Sequence, residues 1–481
     1  MNKVIRFISL FLSAVFLIAV LSGCSSRGVE AAKQIESKIE EQQAKANSYI
    51  NIKEEHIDAQ NAINIISELS SEKYKGRKTG TKENETALQY ISHQFRAISL
   101  KNPEGLENYM QYYYQPVTQL KETPKLRLLD MDGNAIKDFE YPRNFVYRVL
   151  SDSTQDINIK APMQVMSSIT EINNYSFKKQ EVLLFSSAAQ GRSSMMAIMN
   201  AMYDTGAAAI IIEVDVDSEN KRYSDLIVTP LNSSSWGESY KPVITVDSAT
   251  YAELAQAAAE QKMIDLQFRY TEEESYKTAN VVGYIPGTDE KLKDEYIIIG
   301  GHMDHVGDNL NGTYNPGAFD NASGTAAILE IARVIAENDI KPKKTLVFIA
   351  FNGEEHGLIG SEYYVAEPVF PIKNAVMINL DMVGSSAIVP LSIATSMRHV
   401  LDLRSEFLEL GKSLGIDTEE SDLTASDHFS FGEKSVPTVM LTHMDDRNGY
   451  HSPNDTMEDV DRERLNEVIE LVLHYIDKKA Y

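Results

Sequence analysis

A single cysteine, Cys24, stands in the chain of 481 residues, which excludes a disulfide framework and any metal site built on several thiolates. Positive charge is also scarce. Lys and Arg number 46 against 70 Asp and Glu, a formal charge of −24, and so acidic a protein repels nucleic acid and anionic lipid as main partners. The apolar run near the start, Phe7 to Leu21, is short for a membrane-spanning helix, which needs about 20 apolar residues. What is there, 43% hydrophobic and 24% charged residues, is the composition of a folded globular protein long enough for one to three domains.

The start of the chain accounts for the lone cysteine. Lys3 and Arg6 precede the apolar run, and Leu21-Ser22-Gly23-Cys24 closes it, the order of a charged region, a hydrophobic region and small residues before a cleavage point. The tetrapeptide resembles a bacterial lipobox. That resemblance implies a signal peptide over 1–23, cleavage before Cys24, and a lipid anchor on Cys24 that holds the folded part to a bacterial membrane or envelope, outside the cytoplasm. Residues 24–55 are rich in Glu, Lys, Gln and Ala and suit a solvated stalk.

Apolar residues at helical spacing (Ile63, Ile66, Leu69; Ala87, Leu88, Ile91, Phe95) predict two helices joined by the basic glycine segment KYKGRKTGTKEN. From about Asn108 the pattern changes to short alternating strands. Within them, MMAIMNAMYDTGAAAIIIEVD reads as a helix ending at Gly206 followed by a buried strand, Ala208 to Val214. We expect residues 111–275 to form an inserted domain, and 56–110 with 276–481 to form the main one. The later half alternates strand and helix: strands at Glu295 to Ile299, Thr345 to Phe351, Asn374 to Leu380 and Val436 to Leu441, helices at Ser323 to Glu337, Leu401 to Leu414 and Arg462 to Lys478. The expected class is α/β, a mixed, mostly parallel sheet covered by helices, with a smaller α+β or β insert.

Where these strands end, side chains that ligate metals appear in the order His302, Asp320, Glu355, Asp381, His451, with Glu354 directly before the third. Two imidazoles and three carboxylates suit a pair of divalent ions such as zinc, and a carboxylate using both oxygens can bridge them. Asp320, in a tight loop that enters a helix at once, is the expected bridge. Asp304 stands two residues after His302 and is placed to accept the other imidazole N–H. Adjacent Glu354 and Glu355 leave a strand end in different directions, so one can hold metal while Glu354 takes the proton of a water. Singly each is an ordinary loop residue; their joint occurrence at successive strand ends carries the reading.

GGHMDHVG, GAFDNASG, FNGEEHG, NLDMVG and YHSPNDT, in this order, resemble the motifs of metallopeptidase family 28, the co-catalytic di-zinc aminopeptidases related to glutamate carboxypeptidase. The resemblance covers about residues 56–110 and 276–481. It implies the zinc-dependent exopeptidase fold and two Zn²⁺ ions per chain. His302, Asp320 and Asp381 would hold one ion and Asp320, Glu355 and His451 the other. It further implies Glu354 as general base, Asp304 as the orienting carboxylate, Tyr450 as a group that polarises the scissile carbonyl, and peptides as substrates attacked from their N-terminus. The segment DTGAAAIIIEV and the later KPVITVD resemble a protease-associated domain, an insert that overhangs the cleft in some family members and carries no chemistry. His428 matches a recurrent wall motif of the family and equally reads as a loop histidine bonded to Asp427; His305 has the same two readings. A carboxypeptidase of the same fold, with Arg447 for the substrate carboxylate, a glutaminyl cyclase-like transferase and a non-catalytic surface binding protein stay open.

Overall fold

The computed structural model describes residues 51–53, 56–117, 121–141, 143–149, 156–168, 171, 180–190, 207–214, 242–269, 274–310, 312–396, 401–444 and 449–481. The signal segment, Cys24, the stalk apart from 51–53, the helix expected before Gly206, and Arg447 lie outside the described residues. Among the described residues no helix is long and apolar enough to cross a membrane.

The first two helices form where their spacing predicts. Helix α1, Ala59–Leu69, is capped by the Asp58 carboxylate accepting from the Gln60 N–H, and α2, Lys82–Ala97, by the Thr81 hydroxyl accepting from the Asn84 N–H. Strands β1 (Met110–Val117) and β2 (Glu274–Ile285) then pair antiparallel. The remainder alternates: β3 Tyr296–His302, α3 Ser323–Glu337, β4 Thr345–Phe351, α4 Ile359–Ala366, β5 Ala375–Leu380, β6 Leu391–Ala394, α5 Leu401–Leu414, β7 Thr418–Ser421, α6 His428–Glu433, β8 Thr438–Thr442 and α7 Arg462–Ala480.

These strands make one eight-stranded sheet in the order β1-β2-β4-β3-β5-β8-β6-β7. Its centre, β4-β3-β5-β8, is parallel, and β2 and β6 flank it antiparallel. Strands buried on both faces read as continuous apolar runs, and β4 is buried at every position. Successive residues nevertheless divide between two cores. Ile297, Ile299, Leu346, Phe348 and Ile378 pack toward the layer of α1, α3 and α7. Ile298, Val347, Ile349 and Met377 face the other layer, with Tyr364 of α4 and Phe431 of α6.

Residues between Lys125 and Phe268 build a second eight-stranded sheet with its own core, including Leu126, Phe145, Leu184, Ile211, Ile244 and Phe268. Its strands Ile157–Met166, Val182–Phe185, Ala209–Val214 and Val243–Asp247 run parallel to one another. The expected boundary at 111 shifts. Val117 pairs with Glu274 in the first sheet, so β1 and the start of β2 form a two-stranded stem, and the second sheet lies beyond it. The alternation MQYYYQPV signals a strand, but only pairing decides which sheet owns it.

Candidate metal centre

The parallel strands β3, β4 and β5 deliver their C-terminal ends to one edge of the sheet. His302 is the last residue of β3 and lies in register with Phe351, after which β4 gives way to Asn352-Gly353-Glu354-Glu355. Asp381 directly follows β5. Crevices outside the carboxyl ends of such strands are where open α/β sheets bind ligands. The turn before Glu354 requires glycine: Gly353 has φ +78°, and a Cβ there would lie 2.3 Å from the Gln115 side-chain oxygen.

Asp320 comes from the loop ahead of α3. Its backbone leaves helical geometry at φ −109° and ψ 100°, and its peptide bond to Asn321 is cis. Gly317, at φ +61°, opens this turn, where a Cβ would collide with the Asp320 carbonyl oxygen and the His305 ring. His451 arrives from the loop after β8.

These five residues meet in a buried cluster. His302 Nε2 lies 3.4 Å from Asp320 Oδ1 and 3.3 Å from Asp381 Oδ1. His451 Nε2 lies 2.9 Å from both Asp320 Oδ2 and Glu355 Oε2. Asp320 thus faces an imidazole with each of its oxygens, His302 at Oδ1 and His451 at Oδ2, with His305 Nδ1 also 3.7 Å from Oδ2. Potential ligand atoms of His302, Asp320 and Asp381 lie within 4.8 Å of one another, as do those of His305, Asp320, Glu355 and His451, and those of His302, Glu354 and Glu355.

Residues 280–476 match the family model described as peptidase family M28. The chain carries a peptidase family M28 domain. It is 30% identical over 285 residues to aminopeptidase YwaD of Bacillus subtilis (strain 168), a match that spans 56% of each chain. The chain therefore covers just over half the length of that curated relative. The fold is shared with the aminopeptidase from Aneurinibacillus sp. strain AM-1 (TM-score 0.61, 24% identity, 89% of this chain and 95% of that one). It is shared equally with BSAP, a zinc aminopeptidase from Bacillus subtilis (TM-score 0.64, 23% identity, 88% and 96%).

In the M28 domain the electrostatics follow from burying more carboxylates than cations. Burial works against charge on His451, yet Glu355 and Asp320 carry its pKa up to about 10. Burial likewise opposes charge on His302, and the charges of Asp381 and Glu354 raise it well above the ordinary value. Glu354 is pushed well above the carboxylate range by burial, against the pull of His302 and with the charges of Glu355, Asp427 and Asp381 adding to the rise. Burial would raise Glu355, but His451 and His305 together outweigh it and hold it at about 2. The cluster demands positive charge.

Asp304 differs from its expected role. His302 Nδ1 lies 3.2 Å from the Asp304 backbone carbonyl and 3.9 Å from its carboxylate, so the main chain is the nearer partner of the ring. The carboxylate instead accepts from the Glu354 N–H at 3.2 Å and the Glu355 N–H at 3.4 Å. Asp304 therefore orients the glutamate pair. Burial raises its pKa to about 6. Tyr450 is half-buried and stacks on His451 with ring centroids 3.8 Å apart. His428 is buried with Nε2 3.0 Å from the Leu423 carbonyl, not on Asp427.

Three residues here escaped the sequence reading or were left open by it. His305 Nδ1 lies 3.1 Å from Glu355 Oε1, which makes it part of the cluster. Asp455 accepts from the Phe319 N–H at 2.6 Å and the Asp320 N–H at 3.0 Å, gripping the loop that carries Asp320. Arg77 is wholly buried and donates to four carbonyls: Met303 just past His302 at 2.8 Å, Leu69 at 2.9 Å, Pro316 at 2.7 Å and Gly317 at 2.9 Å. The NDT of YHSPNDT contains Asp455, but a loop aspartate has no local mark of such a grip. A cavity of about 570 Å³, lined in part by Tyr296, Asn374, Pro437 and Tyr475, opens at the opposite ends of β3 and β5 and holds none of these residues.

Proposed function

We propose that the chain is a zinc aminopeptidase, tethered by lipid on Cys24 outside the cytoplasm, that removes N-terminal residues from peptides with two zinc ions. The observation that carries this reading is Asp320, whose Oδ1 meets His302 and whose Oδ2 meets His451, the two-sided contact of a bridging carboxylate. The donor set fits zinc: imidazole nitrogens and carboxylate oxygens, buried together, with the imidazoles drawn toward the protonated state where a divalent cation would supply the charge. His302, Asp320 and Asp381 would hold one ion, and Asp320, Glu355 and His451 the other. When bound there, zinc supplies Lewis-acid polarisation of the scissile carbonyl and a lowered pKa for water.

The chain's own residues do the rest. Glu354 takes the proton of the attacking water and delivers it to the leaving amine, a task that suits a carboxyl whose burial raises its proton affinity. Asp304 holds the Glu354 and Glu355 N–H groups and so fixes the turn. Tyr450, with its pKa raised well above the ordinary value by burial and by Asp320, stays protonated and can donate to the carbonyl oxygen. The net negative charge of the buried cluster complements a free N-terminal ammonium. Lipid tethering rests on Leu21-Ser22-Gly23-Cys24.

Aminoacyl p-nitroanilides and their N-acetylated counterparts, assayed with and without a chelator, test the reading. The free amines should be hydrolysed, the acetylated ones not, and activity should return with two equivalents of zinc. Cleavage of N-blocked peptides from their C-terminus, or ammonia release from N-terminal glutamine, would replace it with the carboxypeptidase or cyclase reading.

A further inference from the structure

The second domain hangs on two strands, and both are wired to the turn that presents Glu354. The hub is Asn352, fully buried, two residues before Glu354. Its N–H donates to Asn280 Oδ1 at 3.1 Å and its side-chain amide donates to Thr278 Oγ1 at 2.7 Å, both on β2. Its carbonyl accepts from the Tyr113 hydroxyl of β1 at 2.5 Å. Gln115 of β1 lies against Gly353, where a Cβ would meet its side-chain oxygen. On its other side, Asn352 Oδ1 accepts from Thr79 at 2.9 Å and Asn84 at 2.9 Å, and the same Thr79 hydroxyl lies 3.2 Å from Asp304, the carboxylate that holds the Glu354 and Glu355 N–H groups.

Tyr113, Gln115, Thr278 and Asn280 are each no more than 3% exposed. In a buried polar network, breaking one bonded member leaves a neighbour unpaired. Four residues beyond Thr278 toward the second domain the stem is already at Glu274, opposite Val117 at the end of β1. Displacement of the stem therefore reaches Asn352 through Tyr113 and Thr278 with no flexible segment between.

We propose that Tyr113 and Thr278 are positioning residues that act through Asn352 to hold the Glu354 turn, so that the stem of the inserted domain sets the turnover rate without touching substrate or metal. This rests on Glu354 acting in the proposed aminopeptidase. Of the side chains that would hold metal, Glu355 rides on this turn beside Glu354, while His302, Asp320, Asp381 and His451 come from other strand ends and loops, so the stem should govern the proton-transfer group more than the ions.

The test uses the full chain with Tyr113→Phe, Thr278→Val, their combination, and Thr278→Ser, which keeps the hydroxyl. Steady-state kinetics on an aminoacyl p-nitroanilide are measured beside zinc content and amide hydrogen exchange at 353–355 in metal-free protein. The combined variant should lose at least tenfold in kcat with KM within twofold and both zinc ions retained. Its Glu354 and Glu355 amides should exchange faster, and Thr278→Ser should behave as the parent. Unchanged kcat, unchanged exchange at these amides, or a Thr278→Ser variant as impaired as Thr278→Val overturns the proposal. Should the combined variant not fold, Tyr113→Phe alone decides by the same criteria. If the parent hydrolyses no substrate while exchange responds as expected, the aminopeptidase reading fails and the mechanical coupling stands.

Discussion

Replacing Glu354 with Gln separates catalysis from stability because the two should move in opposite directions. The substitution preserves shape and removes only the capacity to take a proton. Loss of a general acid–base group costs about 10²–10⁴ in rate, or roughly 3–5 kcal/mol of transition-state stabilisation at about 1.4 kcal/mol per decade. Stability follows from the sign of the pKa shift. Burial raises Glu354 well above its ordinary 4.5, so above about pH 4.5 the metal-free folded protein keeps this proton more readily than the unfolded chain, and folding is penalised increasingly as pH climbs above that value. Gln carries no such penalty. Metal-free Glu354→Gln should therefore melt at a higher temperature than the parent at pH 7 and at the same temperature below about pH 4.5. The assay pairs kcat at saturating zinc with metal content and thermal unfolding of the chelated protein. A rate within tenfold of the parent, with zinc retained, would refute the assignment of the base. A lower melting temperature at pH 7 would refute the electrostatic account of its burial.

Two further outcomes follow from groups around the centre. Arg77→Met strands four buried carbonyls, each costing about 1–3 kcal/mol, so a loss of roughly 4 kcal/mol or more should leave the chelated variant largely unfolded in a thermal melt; a shift of only a few degrees would show that the guanidinium is not the staple it looks to be. His451 is carried up to about 10 in the metal-free protein, so the stability its ion pairs supply is complete below about pH 6.5 and lost as pH rises toward 10. Chelated protein should melt progressively lower across that window while zinc-loaded protein does not, and calorimetry in buffers of different ionisation enthalpy should register proton release on zinc binding, with affinity rising about tenfold per pH unit for each proton displaced.

The strand ends of the centre were legible because a doubly buried parallel strand is an unbroken apolar run, and the residue that breaks it stands at the sheet edge. Tyr296–His302, Thr345–Phe351 and Ala375–Leu380 all show this, and each run ends within four residues of a member of the cluster. Helices Ser323–Glu337 and Leu401–Leu414 fell where periodicity placed them. Ownership of Met110–Val117 was not legible, since its alternation suits either sheet and its partner is more than 150 residues away. Asp304 was legible only in part for a related reason: its neighbour in sequence is His302, while the groups its carboxylate binds, the Glu354 and Glu355 N–H, come from the adjacent strand's end.

Arg77 shows what composition hides. In KYKGRKTGTKEN it is one cation among five and reads as part of a solvated basic loop. Folded, it has no solvent exposure, and its donors go to carbonyls, so its charge is not consumed by a contacting carboxylate. Desolvation disfavours that charge, and the nearby carboxylates Asp455, Asp320, Asp304 and Glu355 favour it. A chain with 24 more acidic than basic groups has few cations to place beneath a buried cluster of acids. Spending one there, bonded to Met303 beside His302 and to Gly317 ahead of Asp320, both offsets the repulsion among the carboxylates and fixes the spacing of the two loops that carry them. Lysine cannot do this, because one ammonium with three donors cannot span carbonyls contributed by three separate segments. The guanidinium is thus a structural reason why so many carboxylates can be buried side by side.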